Sequence, residues 1–353
     1  MIAEVSTLRR SDPAEPGFRR RRCGRGFRYL RPDGTPLRDP EQLTRIKNLT
    51  IPPAWTQVWI CPTPDGHIQA VGRDSAGRLQ YRYHDEWRRR RDADKHDRVL
   101  EFAAALPRVR EITAEHLTGR GFSRERVLAA AVRLIDLGFF RSGGREYADE
   151  NGTYGLATIT REHVQCRHGE VIFEYTAKGA KEREQAVAEE SVCAVVRGLK
   201  RRTGGGEELL AYRDGDGGWR NVRAEDINDY LREISGGDFT AKDFRTWHAT
   251  VLAAVGLAVS ARTSDSSPTA RAKAVRRVVQ EVADYLGNTP AVARASYIDP
   301  RIIERYERGE TIAHALPELG RDAGFGELAT QGRTEQAVRE LLLHASGEDG
   351  GDG

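Results

Sequence analysis

Tyr297 lies in the stretch LGNTPAVARASYIDP, residues 286–300, among small residues and one arginine. A tyrosine hydroxyl is a weak nucleophile, because its ordinary pKa near ~10 leaves only about one in a thousand ionised at neutral pH. To attack a phosphodiester it needs arginines that bond the non-bridging oxygens and an acid that protonates the leaving sugar oxygen. Whether Tyr297 is a nucleophile or a packing residue therefore depends on the groups that the fold brings to it.

Four other residues have the right chemistry and stand at distinctive places. Arg245 lies in an apolar helical stretch, DFRTWHATVLAA, and Arg141 lies where a helix gives way to a glycine turn in DLGFFRSGGREY. Lys178 stands at a strand end in FEYTAKGAKE, and Asn288 precedes a Thr-Pro helix start nine residues before Tyr297. Each residue alone is more often a surface or packing residue. Only their combination points to phosphodiester chemistry.

The elements that must position these residues fall into two groups. Residues 26–90 hold alternating apolar and polar runs separated by turns, such as WTQVWI, HIQAVGRD and RLQYRYH, which predict a small antiparallel β-rich domain. Residues 91–345 show mainly helical patterns, interrupted over 155–177 by short strands, which predict a larger, mainly α-helical domain with a small β-sheet. We expect an α+β fold with a basic flexible arm at 1–25 and a disordered tail at 346–353.

Composition limits the classes of function. The chain carries 56 Lys and Arg against 53 Asp and Glu, yet its basic residues cluster, with RRRR at 19–22 and again at 88–91. Such clusters favour binding of a polyanion, although a solvated arginine-rich surface is an equal alternative. No apolar run approaches the roughly 20 residues of a membrane span, and the start lacks a signal-peptide segment. We therefore expect a cytoplasmic protein without a membrane partner.

Several kinds of cofactor find no support in the sequence. The four cysteines form no CxxC pair, no histidines have the HExxH spacing, and there is no GxxxxGK[ST] loop. Asp214 and Asp216 are the only candidate carboxylate cluster, but YRDGDGGW predicts a hairpin turn. We expect chemistry that needs no metal, no ATP and no other cofactor.

Four stretches together resemble the poxvirus-like type IB DNA topoisomerases found in bacteria, over about residues 45–310. They are IPPAWTQVWICPTPDGHIQAVGRDSAGRLQYRYH, NGTYGLATI, TAKDFRTW and LGNTPAVARASYIDP. The resemblance implies the catalytic fold that tyrosine recombinases share with topoisomerases IB, and an enzyme that relaxes supercoiled double-stranded DNA. Such an enzyme makes a transient 3′-phosphotyrosyl link to one strand and reseals it without ATP or metal. We expect a monomer that clamps DNA between two lobes and associates with the nucleoid.

The resemblance also implies a role for each residue. Tyr297 is the nucleophile, Arg141 and Arg245 bind the scissile phosphate, and Lys178 is the general acid with help from Arg141. Asn288 stands where the viral enzymes have histidine and bonds a non-bridging oxygen as a neutral donor. The expected DNA contacts, with one lysine near the same phosphate, are Arg78, Gln80, Tyr81, Arg82, Tyr83, Tyr147 and Lys242.

Some positions qualify these roles. Strand alternation puts Tyr81 and Tyr83 on one face and Gln80 and Arg82 on the other, so not all four are expected to reach DNA. The family usually has lysine or arginine where Leu79 stands, and this chain has RSGG and AKG in place of Arg-x-Gly-Asn and Gly-Lys. The basic arm has no clear counterpart in the family.

Two alternatives stay open at this point. A tyrosine recombinase uses the same phosphotyrosine chemistry, but such enzymes usually carry histidine at the position of Lys242 and a helical N-terminal domain. A DNA-binding protein without activity would explain the basic clusters, but it would not require the reactive residues together. His248, three residues after Arg245, is expected to pack or to support a neighbouring side chain.

Overall fold

The chain divides into two compact units, Met1–Asp97 and Arg98–Gly353. A computed structural model describes residues 8–138, 140–143, 152–167, 169–263, 267–319 and 328–344. The division falls inside a helix, a few residues after the predicted domain limit at residue 90. The predicted tail at 346–353 lies outside the described residues.

The first unit is built on a five-stranded antiparallel sheet with the strand order β2–β1–β3–β4–β5. Its elements are β1 (Phe18–Cys23), β2 (Gly26–Leu30), α1 (Pro40–Asn48), β3 (Thr56–Ile60), β4 (Ile68–Arg73) and β5 (Leu79–Tyr83). Phe18, Ile60 and Ala70 lie opposite one another in the sheet register and pack with Ile46 of α1 in one small core. Helix α1 therefore covers one face of the sheet.

Strand β1 corrects the prediction of a flexible arm at 1–25 for residues 18–23, while residues 1–7 lie outside the described residues. Residues 18–23 form a strand between β2 and β3. Further towards the N-terminus, Arg9 forms an isolated β-bridge with Gly66, two residues before β4 begins. The arginine run hid the strand, because Arg20 takes an inward position where an apolar residue is expected. Its guanidinium lies 4.1 Å from the centre of the Phe27 ring and donates hydrogen bonds to the backbone carbonyls of residues 51, 52 and 55.

The second unit is mainly helical. Its helices are α2 (Asp85–Leu117), which begins in the first unit, α3 (Arg124–Gly138), α4 (Glu190–Arg201), α5 (Ala224–Ser235), α6 (Ala241–Thr263), α7 (Pro268–Leu286), α8 (Pro290–Ser296), α9 (Pro300–Glu307) and α10 (Arg333–Leu343). Its strands are β6 (Val164–Arg167), β7 (Glu170–Ala177) and β8 (Lys181–Val187), in one antiparallel sheet, and the hairpin of β9 (Ala211–Arg213) and β10 (Trp219–Asn221). The predicted α+β fold is confirmed, and Asp214 and Asp216 lie in the β9–β10 turn as expected.

Helix α6 is the central helix of this unit. From Ala241 to Val251 every residue except Lys242 is buried. Large apolar side chains of this helix, such as Phe244 and Trp247, belong to the main hydrophobic core. Arg245 is buried in the same turn and is 3% exposed. Burying an arginine costs much free energy unless its charge is paired or hydrogen-bonded. Its position in this helix therefore makes Arg245 a candidate functional residue.

Asp136, at the end of α3, is the centre of a buried ionic network. Its carboxylate accepts hydrogen bonds from Arg110 at 2.9 and 3.0 Å and from Arg133 at 2.6 Å, and His248 Nε2 lies 3.1 Å from it. Burial raises the pKa of Asp136, but the charge of Arg110 and the hydrogen bond from His248 outweigh it and hold this pKa well below its usual range. His248 thus supports a neighbour, as expected from the sequence.

Glu335 extends the network to the C-terminal helix α10. Its carboxylate accepts from Arg110 at 2.6 and 3.0 Å and from the Trp247 indole at 2.9 Å. The network therefore joins α2, α3, α6 and α10. Among the described residues no helix is long and apolar enough to cross a membrane, and the same residues contain no cluster of side chains that could hold a metal ion.

Candidate active site

Tyr297 and five basic side chains surround one cavity of about 570 Å³ in the second unit. Asn288, Ser142 and Thr289 also line it, and the basic residues are Arg141, Lys178, Lys181, Lys242 and Arg245. Helices α6 and α8, the loop between α7 and α8, the loop after α3 and the β7–β8 hairpin each contribute. The fold thus brings together six predicted residues that are up to 156 positions apart, from Arg141 to Tyr297.

The backbone around Tyr297 is fixed at both ends of a short helix. Thr289 caps α8 with Pro290 at its first position, and Tyr297 ends it with an N–H group that donates to the Ala293 carbonyl over 3.0 Å. The N–H group of Asp299 donates to the Thr250 hydroxyl over 3.1 Å, and this hydroxyl lies 3.3 Å from the Tyr297 carbonyl. Since Thr250 belongs to α6, the central helix holds the segment that carries the tyrosine.

Arg245 joins the tyrosine to the end of α7. Its guanidinium lies 5.4 Å from the centre of the Tyr297 ring, and its Nη2 donates to the carbonyl of Leu286 over 2.9 Å. Burial, and then the charge of Arg141, lower the pKa of Arg245 to about 10. The side chain keeps its charge at neutral pH and is held in place before any substrate binds.

The hydroxyl of Tyr297 is easier to ionise than that of a free tyrosine. Burial raises its pKa, but the charge of Arg245 and a hydrogen bond from it, followed by the charges of Arg141 and Lys242, outweigh burial. The net shift is downward. A half-buried tyrosine that faces three cations is a better nucleophile than one in an apolar core, because these cations favour the phenolate.

The side-chain amide of Asn288 has a hydrogen-bond partner for its oxygen but not for its nitrogen among the described residues. Arg141 Nη2 donates to Asn288 Oδ1 over 2.7 Å, while Asn288 Nδ2 is buried and has no hydrogen-bond partner among the described residues. A buried donor without a partner is rare and costs free energy. An acceptor such as a phosphate oxygen in the cavity would satisfy it.

The β7–β8 hairpin carries two lysines to the cavity. Lys178 is the first residue of the turn, which continues through Gly179 and Ala180 at φ 85° and 54°. Lys181 follows directly and pairs with Ala177 across the hairpin. Arg183 of β8 then donates to the carbonyls of Asp284 and Tyr285, over 3.4 and 2.7 Å, near the end of α7. The hairpin is thereby tied to the segment that leads to Asn288.

In the first unit, strand β5 separates its predicted DNA contacts by face. Tyr81 and Tyr83 are exposed, and their rings stack with centres 5.9 Å apart. On the other face Gln80 Nε2 donates to Asp74 over 3.0 Å, and Arg82 donates to Thr50. The alternation predicted from the sequence is confirmed.

The three remaining predicted contacts differ in what the structure says of them. Arg78 lies just before β5 and forms an ion pair of 2.9 Å with Asp74, which also accepts from Gln80. Tyr147 lies outside the described residues. Lys242 is exposed beside the cavity, one turn before Arg245.

Comparison with known proteins decides the family. Residues 84–319 match the family described as eukaryotic DNA topoisomerase I, catalytic core, and residues 26–74 match the bacterial DNA topoisomerase IB N-terminal domain. The chain belongs to the type IB DNA topoisomerases. The topoisomerase is 27% identical over 297 residues to DNA topoisomerase 1B of Acanthamoeba polyphaga mimivirus, which covers 82% of this chain and 88% of that protein. It is 21% identical over 237 residues to DNA topoisomerase 1B of Vaccinia virus (strain Copenhagen), a match that covers 66% of this chain and 71% of that protein.

Two residues of the β7–β8 hairpin were missed from the sequence, Lys181 at the cavity and Arg183 beside the end of α7. Lys181 has no periodic signal, but its place in a hairpin with a three-residue turn puts it close to Lys178. Arg183 follows two residues later, and its partners near residue 285 are more than 100 positions away. The only local signal for either residue is the hairpin turn that the sequence TAKG suggests, since the turn fixes which residues lie opposite each other in the two strands.

Proposed function

We propose that this topoisomerase relaxes supercoiled duplex DNA by transesterification in the cavity, with Tyr297 as the nucleophile. The observation that carries the proposal is the place of Tyr297 in a cavity lined by Arg141, Arg245 and Lys178, where the two arginines help to lower the pKa of its hydroxyl. The phenolic oxygen attacks the scissile phosphorus and gives up its proton to solvent. A 3′-phosphotyrosyl bond forms, and the bond from phosphorus to the 5′ oxygen of the next nucleotide breaks.

Arg141, Arg245 and Asn288 bind the phosphate in its transition state. Negative charge grows on the non-bridging oxygens, and two planar guanidinium groups can donate several hydrogen bonds to them. The unpartnered Nδ2 of Asn288 adds one neutral donor. Donors of this kind are each worth ~10²–10³ in rate when they are already in place.

Lys178 protonates the 5′ oxygen as it leaves. It stands in a hairpin turn and lines the same cavity as Tyr297 and Arg141, which supports its role as the acid that meets the leaving oxygen. One ester replaces another, so the bond energy needed for resealing is kept in the phosphotyrosine. For that reason the reaction needs neither ATP nor a metal ion.

DNA is held mainly through its backbone. Lys242 is exposed at the cavity and contacts a phosphate near the scissile one, while the exposed face of Tyr81 and Tyr83 contacts bases and phosphates in the major groove. Gln80, Arg82 and Arg78 are bonded to protein groups and take a smaller share. Because phosphate contacts release counterions, affinity falls steeply with salt.

The deciding experiment is relaxation of supercoiled plasmid in EDTA without ATP by the wild type and by Tyr297→Phe. Relaxation by the wild type alone, with equal DNA binding by both proteins, is the expected result. Relaxation by both would mean that another tyrosine attacks. If neither relaxed the plasmid although both bound it, a DNA-binding role without catalysis would replace this proposal, and recombinant products from two duplexes would point to a recombinase.

We further propose that the enzyme acts as a monomer on the nucleoid. One chain supplies the nucleophile, the phosphate-binding groups and the acid around one cavity, so no second chain is needed. Mixing Tyr297→Phe with Lys178→Ala tests this, because an inactive and a slow variant together restore the wild-type rate of relaxation only where a site is shared between chains. Restored activity would contradict the monomer.

A further inference from the structure

The β1–β2 hairpin carries an arginine-rich face that the proposed reaction does not use. In the register of β1 with β2, Arg21 lies directly opposite Arg28, and Arg19 lies opposite Leu30. Like charges directly opposite each other destabilise a pair of strands. The described residues include no ion-pair or hydrogen-bond partner for the side chains of Arg19, Arg21 and Arg28.

This face is the same side of the sheet that presents Tyr81. Directly opposite residues in an antiparallel sheet point to one face, and the register runs from Arg19 to Trp59, then to Val71 and to Tyr81. The other side of the sheet faces α1 and the core. Three arginines and the two exposed tyrosines therefore lie on the side of the sheet opposite α1, with the buried Val71 between them.

The sheet is wider than the major groove of a DNA duplex. Neighbouring strands are about 4.8 Å apart, so β1 lies about 14 Å and β2 about 19 Å from β5. The major groove is about 12 Å wide. With the tyrosines of β5 in the groove, both arginine-bearing strands lie beyond its edge, at the level of phosphates and not of bases.

The hairpin also lies at the limit of the family resemblance. The match to the bacterial N-terminal domain begins at residue 26, so all of β1 precedes it. The arginines of β1 belong to this chain and not to the matched pattern. Residues outside that pattern can change how strongly DNA is held without changing the proposed chemistry, since the candidate reactive residues lie in the other unit.

We propose that Arg19, Arg21 and Arg28 form a second phosphate-binding surface that extends the DNA contact of β5 along the duplex. The surface recognises the backbone of double-stranded DNA without regard to sequence. It sets how firmly the duplex is held while the cleaved strand is free. The proposal rests on the proposed function only in taking the tyrosine face of β5 as the DNA-facing side.

A matched pair of double variants tests the surface. Arg21→Ala with Arg28→Ala removes two charges from the proposed face, and Arg22→Ala with Arg25→Ala removes two charges from the other face and the turn of the same hairpin. Duplex binding is measured against salt concentration for several unrelated sequences. Each phosphate contact contributes about 0.9 to the slope of log affinity against log salt.

We expect the first double variant to lower that slope by up to about 1.8, equally for all sequences, and the second to change it little. Equal slopes in the two variants would overturn the proposal, and so would a loss confined to one DNA sequence. Single-turnover cleavage of saturated DNA should be unchanged in both. If Tyr297→Phe still relaxed plasmid while the slopes behaved as expected, the proposed chemistry would fail and this surface would stand.

Discussion

Arg141 donates a hydrogen bond to the amide oxygen of Asn288 over 2.7 Å, and this bond orients the amide. With Oδ1 occupied, Nδ2 is left as the donor, and it has no partner among the described residues. A charged arginine and a neutral amide thus form one hydrogen-bonded unit at the cavity, from the loop after α3 and the loop before α8, and we propose that it binds the phosphate.

Asn288→Asp should be worse than Asn288→Ala. The carboxylate would still accept from Arg141, but it would offer no donor and would repel the phosphate. We expect loss of one donor to slow single-turnover cleavage by ~10²–10³ in the alanine variant and by more in the aspartate variant. Asn288→His restores a donor and should recover part of the rate. An aspartate variant that cleaved as fast as the alanine variant would remove Asn288 from the phosphate site.

Lys178→Ala should be rescued by a better leaving group. When sulfur replaces the bridging 5′ oxygen of the substrate, the leaving thiolate needs no proton, because thiols are far more acidic than sugar hydroxyls. We expect Lys178→Ala to cleave the ordinary substrate ~10²–10⁴ times more slowly than the wild type and the sulfur substrate at a similar rate.

Lys181→Ala is the matched control for that experiment. Lys181 lines the same cavity from the same hairpin, three residues further on. Its loss should weaken DNA binding and leave the ratio of the two substrates unchanged. If the sulfur substrate rescued Lys181→Ala and not Lys178→Ala, the roles of the two lysines would be exchanged.

Tyr297 should titrate below the ordinary tyrosine pKa in the DNA-free protein. The charges of Arg245, Arg141 and Lys242 favour the phenolate, so removing any of them raises the pKa. Arg141→Ala should raise it more than Lys242→Ala, since the exposed lysine contributes least. An ultraviolet difference titration of each protein against its Tyr297→Phe counterpart measures the shift. An unchanged titration in Arg141→Ala would contradict this electrostatic account.

Asp136→Asn should destabilise the second unit without touching the cavity. The substitution leaves Arg110 and Arg133 without their buried carboxylate, and breaking such a pair costs about 3–5 kcal/mol. Asp92→Asn is the control, because its ion pair with Lys95 is partly exposed and long, at 3.6 Å, and should be worth little. Calorimetric melting temperatures of the two variants distinguish a structural network from a dispensable one.

The same carboxylate gives the stability a defined pH dependence. Because the pKa of folded Asp136 is held below its ordinary value near ~3.9, its contribution is complete above that value. The contribution is lost as the pH falls through the lowered pKa, since the unfolded chain then binds the proton more readily. The wild type should therefore lose stability in acid more steeply than Asp136→Asn, and equal acid sensitivity would contradict the network.

Local signals in the sequence predicted the parts of the site that local structure fixes. The Thr-Pro pair after Asn288 starts α8 and sets its distance to Tyr297, and the period of two in β5 separates Tyr81 from Gln80. Lys178 stands in a hairpin turn, as FEYTAKGAKE predicted. In each case neighbouring residues contain the physical cause.

Long-range contacts were beyond such signals. Arg110 binds Asp136, 26 positions away, and Glu335, 225 positions away. Such polar residues are buried only because their partners are buried beside them, and no periodicity in the sequence predicts this. Strand β1 was missed for a related reason, since Arg20 satisfies its donors with backbone carbonyls far along the chain. Tertiary pairing overrides the local pattern at these places.

The clustering of the candidate groups at one cavity has a consequence for how variants are to be screened. In the proposed reaction these groups act on one phosphate, so cleavage and resealing pass through one transition state in opposite directions. A substitution that weakens binding of that state slows both directions by the same factor and leaves the fraction of covalent complex at equilibrium unchanged. Trapping assays that count covalent complexes at equilibrium would thus pass over defective enzymes, and only assays of rate would find them.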